Sequence, residues 1–321
     1  MKTIYLCEKP KNIEAVFQTQ ERVFCKADVL REPACFRDTE YIFSSWGIPL
    51  FTEEEIKTYF PCLKAVFYGA GSVQHFARPY LNSGVRIFSA WIANAVPVAE
   101  YTVAQIVLAN KGFFANHRIH SGEEYTAARK RFNTYPGNYG AKVGLIGVGT
   151  IGKLVAQRLQ GYALEVLAFD PFLSEDTARE LGIKKVDLST VFSQCHVVSN
   201  HLANNGQTVG MLNGALFESM LPCATFLNTG RGAQVVENDL IRVLKARPDL
   251  TAVLDVTIDE PPVEKSEFYT LENCILTPHM AGSSGNEVRR MGEYMQQAHK
   301  NLTQGKPCQY EVTLEMLITM A

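Results

Sequence analysis

The chain has 321 residues, 31 Lys plus Arg against 33 Asp plus Glu, and a formal net charge of −2. No like-charge run exceeds the three residues of Glu53-Glu54-Glu55 or Arg129-Lys130-Arg131, which argues against a nucleic-acid or polybasic membrane surface as its main business. Apolar residues make up 46 % and charged residues 20 %, a globular composition rather than a disordered or collagenous one, and the length suits two domains that each bury a core.

In chain order, Thr3–Leu6, Tyr41–Phe43, Ala65–Tyr68 and Arg86–Phe88 read as strands of a first region, short apolar runs separated by helical or loop segments. Val98–Phe114 follows as a long, largely apolar helix. With so little polar face it must be buried on most sides, by a domain seam or a partner subunit. The segment Asn116–Gly140 is polar and aromatic, with Tyr125, Phe132, Tyr135 and Tyr139; it is either an arm that packs on a second copy of the chain or an ordinary surface connection. Six strands of a second region come next: Lys142–Gly147, Glu165–Asp170, His196–Asn200, Thr225–Asn228, Thr251–Asp255 and Cys274–Thr277. They are spaced as in a doubly wound dinucleotide-type sheet. Asn286–Thr303 carries Val288, Met291, Met295, Ala298 and Leu302 at alternating three- and four-residue steps, so it is a return helix. The expected fold class is α/β, with two Rossmann-like doubly wound parallel sheets.

No apolar stretch is expected to reach the roughly 20 residues of a membrane helix, and the apolar run at Ile4–Cys7 is too short for a signal-peptide core. A cytosolic protein without a membrane partner is therefore expected. Its cysteines (Cys7, Cys25, Cys35, Cys62, Cys195, Cys223, Cys274 and Cys308) are scattered and read as small buried hydrophobes or free thiols. His117 and His120 have helical spacing but no third ligand type close by, so no metal is expected.

The most informative stretch is Lys142-Val-Gly-Leu-Ile-Gly147-Val-Gly149-Thr150-Ile151-Gly152, an apolar strand running into G-x-G-x-x-G and then into a helix. Glycine at these positions permits a tight turn, lets the backbone approach a pyrophosphate and lets helix pack on strand, while the helix N-terminus offers N–H groups to the anion. A second strand ends at Asp170, 18 residues after Gly152, where an acid can accept both hydroxyls of an adenosine ribose. Pro171 and Phe172 follow, with no cation for a 2′-phosphate, so the cofactor is read as NAD rather than NADP. Further polar groups stand at strand C-termini, where such sheets bind ligands: Asn228-Thr229-Gly230-Arg231-Gly232, Asp255 with Glu260-Pro261 beyond it, and Thr277-Pro278-His279 running on to Gly282. Singly, each has a bland reading as an ion pair, a helix-start acid or a packed loop histidine.

At these residues the chain resembles the D-2-hydroxyacid dehydrogenases, a family that includes phosphoglycerate, D-lactate and glyoxylate or hydroxypyruvate enzymes. The resemblance implies Arg231 as the substrate-binding and catalytic arginine, His279 as acid/base and Glu260 as its partner. It places Asp255 at the nicotinamide amide and further cofactor contacts at Thr102, Thr150, Ile151, Thr229, Gly230 and Gly282. Tyr68-Gly-Ala70-Gly71 looks like the loop whose N–H groups hold the substrate carboxylate. It further implies a flavodoxin-like substrate domain of residues 1–95 plus 286–321 and an inserted NAD-binding domain of residues 96–285; a homodimer is expected from the arm reading of Asn116–Gly140.

Three departures bear on the substrate: Gly71 is followed by Ser72-Val73-Gln74, Asn200-His201-Leu202-Ala203-Asn204 lacks the usual proline, and Thr257 stands where Phe is frequent. The expected chemistry is interconversion of a D-2-hydroxy acid with its 2-keto acid. Arg231 would clamp carboxylate and carbonyl, His279 would donate the proton, and Glu260 would favour the imidazolium. The segments expected at the substrate mouth, Ser44–Ile48 and Tyr68–Phe76, contain no Lys or Arg and offer Trp46, Tyr68 and Phe76, which speaks against a phosphorylated substrate. The rival reading is an NAD-sensing regulator on the same fold, similar to the C-terminal binding co-repressors. Formate dehydrogenase is disfavoured because Ile275-Leu276-Thr277-Pro278 lacks its Gln-Pro-His.

Overall fold

The structure, a computed structural model, describes residues 2–318. Its contacts divide the chain into two compact units, Met1–Ala95 with Ser283–Ala321, and Val96–Gly282. The second division falls at 282/283, three residues before the expected 285/286. The reason is local: Ser283 N–H donates to Asn94 Oδ1 at 2.9 Å and Ser284 N–H to the Glu287 carboxylate at 3.0 Å, which ties these residues to the first unit and to the return helix.

The first unit is built on strands β1 (Thr3–Leu6), β2 (Val23–Phe24), β3 (Tyr41–Ser44), β4 (Ala65–Tyr68) and β5 (Arg86–Ser89), parallel and in the order β2-β1-β3-β4-β5. That is the flavodoxin-like order. The short strand Glu311–Val312 pairs antiparallel with β5. Register places Phe43, Phe67 and Phe88 side by side on one face, where their rings stack at 5.1 and 5.0 Å. Helix Glu287–Thr303 covers this face with Met291, Met295 and Ala298, the residues its periodicity selects. Tyr68 and Phe76 are 1 % and 2 % exposed and belong to the core beneath the opposite face. They do not line a mouth, contrary to expectation: Tyr68 ends β4, an interior strand buried on both faces, and Phe76 packs its ring on Tyr68 and Tyr80 at 4.8 and 6.0 Å.

In the second unit seven parallel strands, β6 (Lys142–Ile146), β7 (Glu165–Phe169), β8 (Lys184–Lys185), β9 (Val197–Asn200), β10 (Thr225–Asn228), β11 (Thr251–Leu254) and β12 (Cys274–Leu276), run in the order β12-β11-β10-β9-β6-β7-β8. Every residue of β9, β10 and β11 is buried, as parallel strands covered on both faces must be. The strand beyond the six expected is Lys184-Lys185, which carries no apolar signal because it sits at the sheet edge.

The long helix spans Trp91–Asn110, not Val98–Phe114. Pro97 looks like a helix start because a first-turn proline needs no N–H, yet here it lies inside the helix. Gly112, at φ +68°, breaks the chain before a separate turn at Phe113–Asn116. With 20 residues and a single charged side chain, Glu100, this helix does reach the length and composition of a membrane span, which corrects the expectation above. Half of it is buried, with Ala99, Val103, Ile106 and Ala109 in the core of the second unit and the Glu100 carboxylate 3.5 Å from Arg158, the arrangement of a core helix rather than a lipid-facing one. Within Asn116–Gly140, Ser121 caps helix Gly122–Phe132, of which Ala128 alone is buried; Tyr125 and Tyr139 project into solvent.

Candidate active site

The C-terminal ends of β6, β7, β9, β10, β11 and β12 carry the polar residues singled out above. Gly147 leaves β6 at φ +88°, a conformation that favours glycine, and its N–H donates to Phe169 O at 2.8 Å. At Gly152 a Cβ would stand 2.1 Å from Gly147 O, so helix Thr150–Leu159 can approach the turn only with glycine there. A Cβ at Gly149, by contrast, would meet nothing within 4 Å, and no side chain caps the helix start. The first turn thus presents Thr150, Ile151 and Gly152 N–H groups beside an open face, the arrangement an anionic pyrophosphate requires. Asp170 ends β7 with both carboxylate oxygens directed by the turn: Oδ2 accepts from Val148 N–H at 2.7 Å and Oδ1 from Phe172 N–H at 2.8 Å.

The catalytic candidates lie at β10, β11 and β12. His279 adopts φ +52° three residues past the end of β12, and its N–H donates to Asp255 O at 3.0 Å. A non-glycine residue in the left-handed region signals a position held by its surroundings. The holding group is Asp255, 2 % exposed, whose carboxylate accepts from Thr277 Oγ1 at 2.5 Å, Met280 N–H at 2.8 Å and Ala281 N–H at 2.9 Å. The family resemblance implies Asp255 at the nicotinamide amide; the geometry adds that it braces the histidine turn. Tyr101 OH lies 3.2 Å from Thr277 Oγ1 and extends the brace to the long helix.

His279 Nδ1 sits 2.6 Å from Glu260 Oε2, with both side chains about half exposed. A carboxylate there fixes the tautomer with hydrogen on Nδ1 and leaves Nε2 outward. Arg231 Nη1 donates to Gly230 O at 2.7 Å. Burial pulls its guanidinium below the ordinary arginine value, partly countered by the nearby Glu260 charge, but it remains a cation. A Cβ at Gly232 would overlap Thr257 C at 1.9 Å, so the arginine turn packs backbone to backbone against the segment leading to Glu260, and Ile258 N–H is fixed by the Glu237 carboxylate at 2.7 Å. Thr102 and Thr229 meet at 3.3 Å, and Thr229 Oγ1 is 3.4 Å from His201 Nδ1. Of the residues selected from sequence, Gly282 ends this unit, while Ala70 and Gly71 lie in the first. Their carbonyls accept from Ser89 Oγ at 2.9 and 2.6 Å, and their N–H groups make no hydrogen bond among the described residues. Asn200, Gln234 and Glu237 were not foreseen; a polar residue inside an otherwise apolar buried run was the one signal available.

Residues 103–281 match the family description "D-isomer specific 2-hydroxyacid dehydrogenase, NAD binding domain". The chain belongs to the D-isomer specific 2-hydroxyacid dehydrogenase family. It is 30 % identical over 231 residues, 72 % of its length, to a D-3-phosphoglycerate dehydrogenase of Archaeoglobus fulgidus, and 31 % identical over 242 residues to an (S)-sulfolactate dehydrogenase of Chromohalobacter salexigens, covering 74 % of this chain and 77 % of that one. The match spans 43 % of the Archaeoglobus protein, less than half its length. Among solved structures, D-mandelate dehydrogenase of Rhodotorula graminis superposes with a TM-score of 0.79 at 20 % identity over 97 % of each chain. D-lactate dehydrogenase of Lactobacillus jensenii with NAD+ does so at 0.73 and 20 % over 98 % of this chain and 100 % of that one. These likenesses show the fold: two Rossmann-like units. NAD is the cofactor of this family member, and the open glycine turn, uncapped helix start and oriented Asp170 carboxylate fit it.

Proposed function

We propose that the protein interconverts a small D-2-hydroxy acid and its 2-keto acid with NAD. The observation that carries this is the His279–Glu260 pair at 2.6 Å with the half-buried Arg231 guanidinium near Glu260, a proton donor and a carboxylate clamp at the end of an NAD-binding sheet. NAD, when bound, supplies or accepts the hydride. Arg231 binds the substrate carboxylate and polarises the carbonyl through its fork of donors. His279 gives the carbonyl oxygen a proton from Nε2, while Glu260 holds the Nδ1 hydrogen and stabilises the imidazolium from which the proton leaves. In the oxidative direction the same groups work in reverse. Asp255 keeps the histidine turn in place, and Asp170 receives the adenosine ribose. The N–H groups of Ala70 and Gly71, which make no hydrogen bond among the described residues, are proposed as main-chain donors to the substrate, since free N–H groups suit an anion.

The substrate side chain is small or apolar and carries no phosphate, because the exposed residues of the two first-unit segments, Trp46 and His75 among them, include no Lys or Arg. Solvent-facing Tyr125 and Tyr139 support a homodimer formed through Asn116–Gly140, and free thiols at exposed Cys35 and Cys62 support a reducing, cytosolic location. An NADH-oxidation screen over glyoxylate, hydroxypyruvate, pyruvate and bulkier keto acids tests the reading. Absence of turnover with every 2-keto acid would refute it.

A further inference from the structure

Both main-chain polar groups of Arg231 are held by side-chain amides. Its N–H donates to Gln234 Oε1 at 3.1 Å, and its carbonyl accepts from Asn228 Nδ2 at 3.3 Å. Asn200 closes the set, since its Nδ2 donates to Asn228 Oδ1 at 2.9 Å and to Gln234 Oε1 at 2.6 Å. Gln234 Nε2 donates in turn to Leu202 O at 2.7 Å. Gln234 and Asn200 are fully buried and Asn228 is 1 % exposed.

A buried amide is a hazard, since each unpaired polar group costs about 1–3 kcal/mol, and an apolar residue would fill the same space without that risk. Here the amides converge on one short segment. Gly230 threads between two of them: a Cβ there would stand 2.7 Å from Gln234 Oε1 and 2.8 Å from Asn200 Nδ2. Arg231 itself is extended, at φ −144° and ψ 150°, and its guanidinium turns back onto Gly230 O. The direction in which the side chain leaves the sheet therefore depends on where Gln234 and Asn228 hold its backbone.

We propose that Gln234 is a positioning residue for Arg231, setting with Asn200 the aim of the guanidinium and hence the fit of the keto acid's carboxylate and carbonyl. The inference rests on the role given to Arg231 above. Gln234→Met keeps length and volume while removing the three bonds. The expected result is a fall in kcat/KM of about 30-fold for the best 2-keto acid, chiefly through KM, with the NADH Kd changed by less than about twofold, because a displacement of the order of 1 Å degrades orientation without removing the group.

In an Arg231→Lys background the same substitution should cost less than about threefold, since an ammonium has no fork to aim. Full additivity, or a lowered thermal midpoint with unchanged kcat/KM, overturns the proposal. Should Arg231→Lys alone leave kcat/KM unchanged, the clamp reading fails and this inference with it; a fall there without one in Gln234→Met defeats this inference alone. If Gln234→Met does not fold, Gln234→Glu takes its place. Its carboxylate still accepts from Arg231 and Asn200, but its second oxygen meets Leu202 O with no hydrogen to give, which disturbs the buried amide set; kcat/KM should fall by about tenfold or more with the NADH Kd within about twofold of native, and a kcat/KM within about twofold of native overturns the proposal.

Discussion

His201 is 8 % exposed at the end of β9, with Nε2 3.0 Å from Ser199 Oγ and Nδ1 3.4 Å from Thr229 Oγ1. Burial pushes its imidazole down from 6.5 to about 4. The unfolded chain therefore takes up a proton below about 6.5, whereas the folded one does so only below about 4, so unfolding binds a proton between those values and stability falls as pH falls through that window. Above about 6.5 the contribution is fully present. The interval of about 2.5 pH units corresponds to about 3 kcal/mol at roughly 1.4 kcal/mol per unit. His75, His196 and His299 are also depressed by burial, so the wild-type curve alone does not isolate this group.

His201→Gln replaces the imidazole with an amide that does not titrate and leaves the other histidines in place. Urea unfolding followed by far-UV circular dichroism at pH 7 and pH 4 should show the wild type losing about 3 kcal/mol more than the variant over that range. Parallel losses, within about 1 kcal/mol of each other, would mean that His201 is hydrated or protonated in the fold and would refute the reasoning.

His279→Ala should lower kcat by about 10²–10⁴-fold with little change in substrate KM, whereas Arg231→Gln should raise KM as well as lower kcat, since the arginine binds in ground and transition states alike; steady-state kinetics that match wild type in either variant count against the assignment. Asp170→Asn keeps an acceptor for Val148 N–H while removing the charge that repels a 2′-phosphate, so the NADH to NADPH ratio in kcat/KM should narrow by about tenfold or more; an unchanged ratio rejects that role. Phosphohydroxypyruvate should be a poorer substrate than hydroxypyruvate, pyruvate or glyoxylate, and a higher kcat/KM for it than for all three would show that cations reach the site from elsewhere in the chain or its partner.

The legible parts of the protein are those written in short windows. Apolar runs bounded by Gly, Asn or Asp located ten parallel strands to within a residue at each end, because strands buried on both faces read as continuous hydrophobic stretches. The glycine spacing and the acid at Asp170 gave the cofactor, and Arg231, Glu260 and His279, each with a bland reading singly, stood out by their joint placement at strand C-termini, where such sheets bind ligands. What tertiary structure alone decided are relations between distant residues. Lys184-Lys185 is a strand only because β7 pairs with it, and Tyr68 is core only because β4 has neighbours on both sides. Asp255 braces the histidine turn 22 to 26 residues away, and Asn200 meets Gln234 across 34. An amide or carboxylate in a buried run is a desolvation cost that some partner must offset, and the sequence shows the cost; which partner offsets it depends on the strand order that brings β9, β10 and β11 side by side.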